Sequence, residues 1–261
     1  MSDPATDTSG EPTPGDRRVG PETVKSAIGS ATDHPSAADR RRAGGLAVGF
    51  VVALLAMAAL RWSGPLDNAL TPFSRFATLG YIAATVCFSI ALVRAGVPFD
   101  RLGFGDGPRW RHLGLALVGV VALRVLGGVV LPWVQGWIAA PRDLERFSAV
   151  DEGSLGALAT YLAVSWSFAA FGEELAYRVV LMRALAVALG DGRRAQAAAL
   201  VVQAGVFGLV HAYQGAMGVV GATLSGLVYG ALALAAQGSI WPSAFAHGAN
   251  NSINLLRLFV R

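Results

Sequence analysis

The sequence predicts an all-α fold, a polytopic membrane helix bundle of seven or eight transmembrane helices, and three observations carry that prediction. Of 261 residues, 54% are hydrophobic and only 15% charged, whereas soluble domains run near about 25% charged. The apolar residues come in blocks of the length, about 20 helical residues, that crosses a hydrocarbon core about 30 Å thick. The blocks are also too long and too rich in Ala and Leu to be the roughly ten-residue alternating strands of a membrane barrel.

Charge and cysteine content narrow the function classes. The net charge of +4 is spread over arginines beside apolar blocks, which suits orientation in a lipid bilayer and argues against a nucleic-acid partner. The single cysteine, Cys87, lies in an apolar block and excludes an intramolecular disulfide. It reads as a small buried or lipid-facing hydrophobe.

Residues 1–43 are rich in Pro, Gly, Ser, Thr and Asp and nearly devoid of large apolar side chains, the composition of a disordered tail. No basic segment followed at once by an apolar core opens the chain, so a signal peptide is not expected. After Arg40-Arg41-Arg42 the first apolar block spans 44–60, with Trp62 at its far interface. The arginines favour a cytoplasmic N-terminus in a plasma or inner membrane. A second block covers about 76–93. The loop after it holds Arg94, Arg101, Arg109 and Arg111 and reads as a return to the cytoplasm. The third, about 113–131, is interrupted by Arg124 and closed by Pro132, Trp133 and Trp137.

The stretch 155–189 reads helical throughout and would extend about 52 Å as one straight helix. One tilted helix there gives seven spans; a break near Gly172 gives eight. Arg193-Arg194 on the cytoplasmic side favour seven. The last blocks cover 195–211, 217–236 and 240–260. Their glycines, among them Gly226 and Gly230, let helices approach closely. Residues 44–154 are thus expected to form N-terminal transmembrane helices, the first two of them peripheral, and residues 155–261 a compact catalytic core.

Three polar clusters interrupt these late blocks, and ionisable groups in hydrocarbon, costing about 2.5–3.5 kcal/mol each on insertion scales, imply a shared polar cavity. In Phe171-Gly172-Glu173-Glu174-Leu175-Ala176-Tyr177-Arg178, Glu174 and Arg178 are four apart and share a helix face, which suits a charge-assisted pair. Glu173 projects about 100° away, free to face the cavity beside Tyr177. The same segment is equally compatible with a structural network that fixes helix packing. His211 follows Phe207 by four residues, and His247, Asn251 and Asn254 line one stripe at i, i+4 and i+7.

A glutamate and two histidines can hold and activate a water. Glu173 would serve as general base, a histidine would orient the water or return a proton, and Asn251 would donate to an oxyanion, as amide hydrolysis requires. A catalytic zinc or another divalent metal held by Glu173, His211 and His247 is the rival arrangement. Metal-free catalysis is favoured, because no His-Glu-x-x-His run is present and three helices would have to supply the ligands.

Taken in order, Glu173-Glu174-x-x-x-Arg178, Phe207-x-x-x-His211 and His247-x-x-x-Asn251 resemble the three motifs of the CAAX-processing and bacteriocin-processing family of intramembrane proteases, also called Abi or Rce1-like. The resemblance covers about residues 155–256. It implies a helical intramembrane endopeptidase in which Glu173 and His211 activate water and His247 with Asn251 form the oxyanion site. Tyr177 stands where the family commonly has Phe. The implied partner is a membrane-associated protein or peptide substrate. Substrate identity does not carry over, because family members serve prenylated-protein maturation, bacteriocin immunity, export or regulation. A nonenzymatic scaffold or immunity protein is the alternative. A proton-coupled transporter trails it, because the N-terminal half holds no repeat of the Glu-Glu motif.

Overall fold

The computed structural model describes residues 35–62, 83–91, 94, 103–104, 109–138 and 141–261, with side chains withheld for 57–62. Most of the predicted tail, half of the second apolar block and the side chain of Trp62 lie outside the described residues.

The described elements are all helical. Helix α1 runs Ala37–Trp62 and so begins inside the predicted tail. Ser36 sets its start: its Oγ accepts from Asp39 N (3.2 Å), and its own N–H donates back to the Asp39 carboxylate (3.1 Å). This reciprocal cap satisfies two donors at the helix end, and the hydrogen bonds from Ser36 hold the Asp39 carboxyl below its usual pKa. Helix α2 is continuous over Trp110–Ile138, with one wide π-type turn at Leu126–Val130. Helix α3 occupies Leu155–Ala188. Its N-cap Ser154 accepts from Ala157 N at 3.2 Å, and an Arg183–Asp191 ion pair of 2.6 Å ties down its far end. Helices α4 (Arg193–Leu209), α5 (Gly215–Ala235) and α6 (Trp241–Phe259) complete the chain.

The expected seven or eight crossings are not found. Among the described residues, three helices are long and apolar enough to cross a membrane: Trp110–Ile138, Leu155–Ala188 and Ala212–Ala235. The reasons differ from block to block. Residues 155–188 form one helix with no break at Gly172. Helix α4 has 17 residues, about 25 Å of rise, short of a hydrocarbon core, and carries Arg193, Arg194, Gln196 and Gln203. Helix α6 has 19 residues, but Ser243, His247, Asn250, Asn251, Ser252, Asn254 and Arg257 interrupt its apolar character. Of the second block, only 83–91 is described as continuous helix. These apolar helices are those of a multi-pass membrane protein.

Packing gathers the late helices around α3. Helices α4 and α5 pack along much of their length, and glycines make the approach close. A Cβ on Gly226 would lie 3.1 Å from Ala204 Cα, and one on Gly230 would clash with the Leu200 side chain and come within 2.7 Å of Gln203 Nε2. Helix α1 is not peripheral: Ala47, Phe50 and Leu54 are buried against Ala176, Tyr177, Val180 and Leu181 of α3. Full burial of an aromatic such as Phe50 is worth about 1.5–3 kcal/mol where water is the alternative. Helix α2 packs Ala116 and Leu123 against Tyr229, Leu232 and Ala246 of α5 and α6. Trp110 at one end of α2 and Trp133 and Trp137 towards the other are exposed, as an interfacial belt would be.

Candidate active site

The polar centre begins with how α3 winds. Two π-type stretches, Ser165–Glu173 and Leu175–Met182, flank Glu174. Such wide turns are rare and recur at functional sites. Glu174 lies between them with no solvent exposure. Arg178 Nη2 donates to Glu174 Oε1 at 3.2 Å, while Nε approaches Oε2 to 2.9 Å as an ion pair without hydrogen-bond alignment. Arg178 Nη1 donates to Gln203 Oε1 at 2.6 Å. The Gln203 amide then donates to the backbone oxygens of Leu200 and Gly226, both at 3.0 Å. A buried charge is thereby held by a carboxylate and a neutral amide whose remaining hydrogens are themselves placed.

Aromatic rings enclose this pair. The Arg178 guanidinium carbon lies 5.2 Å from the Phe207 ring centre and 5.6 Å from that of Tyr229, within cation–π range. Tyr177 meets Phe207 edge-on at 4.8 Å, so it belongs to the core rather than to an open cavity. Gln203 and Tyr229 were not singled out from sequence. Gln203 is buried at the middle of α4, and an amide in that position is the signal that could have found it.

His247 of α6 enters from the other side. Its Nδ1 lies 2.9 Å from Glu174 Oε1, and a carboxylate oxygen can only accept, so Nδ1 carries the proton. Nε2 then faces Glu173, 3.9 Å from Oε2. Tyr229 stacks flat on the imidazole, with centroids 4.5 Å apart and planes 14° from parallel. Gly248 gives Trp166 its place against α6, where a Cβ would stand 2.6 Å from the indole, and the indole N–H donates to Ser252 Oγ at 3.1 Å.

Glu173, Glu174, Arg178 and His247 are therefore brought together. Glu173 keeps 16% of its side chain accessible. His211 closes α4 with Nδ1 2.7 Å from Phe207 O. A carbonyl oxygen likewise requires Nδ1–H, which leaves Nε2 with its lone pair. The Phe207 ring lies between the histidines, 4.6 Å from His211 and 6.2 Å from His247. Tyr213 stacks on His211 at 5.8 Å and accepts from Arg146 Nη1 at 2.5 Å. Arg142 Nε donates to Gln214 Oε1 at 2.7 Å; as a residue Arg142 is exposed, yet the protein around its guanidinium lowers its pKa by desolvation.

The asparagines divide differently from the i+4 stripe. Asn250 is buried and Asn251 half-buried, and Arg124 Nη1 donates to Asn254 Oδ1 at 2.9 Å. Among the described residues, no three His, Cys, Asp or Glu side chains are grouped as metal ligands. Glu173, His211 and His247 thus do not fit a three-ligand metal site in this arrangement.

Residues 155–253 match the family model described as Type II CAAX prenyl endopeptidase Rce1-like. This stretch belongs to the Rce1-like CAAX endopeptidase family. The Rce1-like stretch contains Glu173-Glu174-x-x-x-Arg178, Phe207-x-x-x-His211, His247-x-x-x-Asn251 and the buried His247–Glu174 contact. Comparison with curated proteins and with solved structures finds no match.

Proposed function

We propose that the chain is an intramembrane endopeptidase that hydrolyses a peptide bond of a membrane-associated protein or peptide with water activated by Glu173 and His211. The observation that carries this reading is the unequal state of the two adjacent carboxylates. Glu174 is committed to Arg178 and His247, whereas Glu173 retains access and faces His247 Nε2 at 3.9 Å. A structural network would have use for the first carboxylate only; a second one that keeps 16% of its side chain accessible among buried polar groups suits a general base.

In the proposed reaction a water donates a proton to Glu173 while its oxygen bonds to the substrate carbonyl carbon. His211, with Nδ1–H given to Phe207 O, orients that water through Nε2. The carbonyl oxygen becomes an oxyanion that accepts from the Asn251 amide on α6, beside His247. The carbon–nitrogen bond then breaks as the proton passes from Glu173 to the leaving amine, yielding an acid and an amine. Glu174 and Arg178 act as positioning residues. No step is routed through a metal.

The domain division carries over as a proposal: a tail within residues 1–43, helices over 44–154, and the catalytic part over 155–261, with the N-terminus cytoplasmic. The test compares protein termini in cells carrying the wild type or Glu173→Gln, followed by cleavage of the affected membrane-tethered peptide by purified protein. New termini present only with the wild type support the reading. Equal cleavage by both proteins overturns it.

A further inference from the structure

Arg124 lies in α2, outside the matched residues 155–253, and no role above uses it. It is half-buried, with Nε enclosed and without a hydrogen-bond partner. Its guanidinium spans two asparagines on α6, with Nη1 donating to Asn254 Oδ1 at 2.9 Å and Nη2 to Asn250 Oδ1 in a short contact. An amide whose oxygen is taken by a guanidinium must turn its NH2 the other way, and the Asn250 side chain also engages Tyr229. Tyr229 in turn lies flat on His247.

We propose that Arg124 is a positioning residue for His247, acting through Asn250 and Tyr229 to fix the plane of the imidazole between Glu174 and Glu173. Three helices contribute. Arg124 comes from α2, Tyr229 from α5, and Asn250 sits three residues after His247, about one turn along α6. The hydrogen bond to Glu174 holds one edge of the ring but leaves it free to tilt about that contact. The parallel phenol removes the tilt, and the amide held by Arg124 anchors the phenol. Arginine suits the task because its planar fork reaches two acceptors at once, which an ammonium does not reproduce. Asn254, the second acceptor, supplies a separate staple between α2 and α6. The two functions of Arg124 are thus carried by different asparagines and can be taken apart.

The experiment compares wild type with Arg124→Gln and Asn250→Ala in the full chain in detergent micelles. Asn250→Ala cuts the path to Tyr229 and leaves the Arg124–Asn254 staple, so it serves where Arg124→Gln fails to fold. The first readout is the imidazole NMR spectrum of histidine-labelled protein, with the His247 signals assigned by their loss in His247→Gln. The second is kcat against KM on a membrane-tethered peptide, and the third is the melting temperature. Expected are displaced His247 signals in both variants, with kcat down by about tenfold or more, as small misplacements of catalytic groups produce, and KM unchanged. Asn250→Ala should melt close to wild type. His247 signals identical to wild type in the folded variants would overturn the proposal, as would a rate per folded molecule that does not change. The kinetic arm rests on the peptidase reading, and the spectral arm does not: a wild type that cleaves nothing defeats that reading and leaves the NMR result to decide the role of Arg124.

Discussion

His247 Nδ1 meets Glu174 Oε1 at 2.9 Å, while the neighbouring Glu173 stands 3.9 Å from the opposite nitrogen of the same ring. One imidazole therefore meets the two carboxylates differently: the first is hydrogen-bonded to the ring, and the second stands beside its other nitrogen with 16% of its side chain accessible. Arginine, glutamine and tyrosine crowd the Glu174 side, so that side cannot rearrange without losing several contacts at once.

Replacing the two glutamates should have different consequences. Glu173→Gln keeps the shape and is expected to abolish cleavage while the folded yield and melting temperature stay near wild type. Glu174→Gln leaves Arg178 buried without its counter-charge, and the loss of one partner of a buried pair costs about 3–5 kcal/mol. Melting in detergent beside a peptide-cleavage assay checks both, and a Glu173→Gln enzyme with full activity would remove the base from the mechanism.

Arg178→Met should be less damaging in company than alone. The single substitution leaves Glu174 buried and unpaired, whereas Arg178→Met combined with Glu174→Leu removes both charges. Buried pairs replaced by apolar groups are often near neutral in stability, so the double variant should melt above the single one and remain inactive because His247 has lost its anchor. A double variant that melts below the single one would show that Gln203 and the aromatic cage need the charge.

His211→Ala is expected to lose activity with little change in stability, because the imidazole makes one backbone hydrogen bond and two ring contacts at the end of α4. Tyr213→Leu should reduce kcat by a smaller factor, since stacking contributes about 0.5–1.5 kcal/mol. Steady-state kinetics on the purified variants compares the two, and a larger loss in Tyr213→Leu than in His211→Ala would reverse their assigned importance.

Gly226→Leu and Gly230→Leu should lower folded yield and melting temperature, because even a Cβ at these sites meets Ala204, Leu200 or Gln203. Overpacking in a tight interior costs about 1–3 kcal/mol. Gly205, where a Cβ would meet nothing within 4 Å, is the control: Gly205→Ala should be tolerated, and equal losses at all three sites would point away from close helix approach.

Exhaustive chelation should leave peptide cleavage intact, because Glu173, His211 and His247 are not grouped as metal ligands. Metal content and rate measured on the same sample provide the check. Stoichiometric zinc whose removal abolishes cleavage and whose return restores it would require the histidines to close on Glu173 in a way this arrangement does not present.

Much of this was open to reading along the chain. Glu174 and Arg178 pair because residues four apart meet on any helix, a relation that survives even the π-type winding of α3. Polar residues inside apolar blocks announce a site, since hydrocarbon tolerates few of them. Spacing along one helix, by contrast, says nothing about what another helix presents. Hence Gln203 and Tyr229, silent in their own segments, close around Arg178 and His247, and Arg124 finds two amides on α6. The same limit governs the crossings: apolar length can be counted residue by residue, but helix ends at Leu209 and Trp241, and the unbroken course of Leu155–Ala188, depend on packing and capping partners distant in the chain. The sequence alone determined which chemical groups the bundle must shelter. Only the tertiary structure decided which carboxylate is tied to arginine and histidine and which keeps some exposure, because that choice is made by side chains arriving from four different helices.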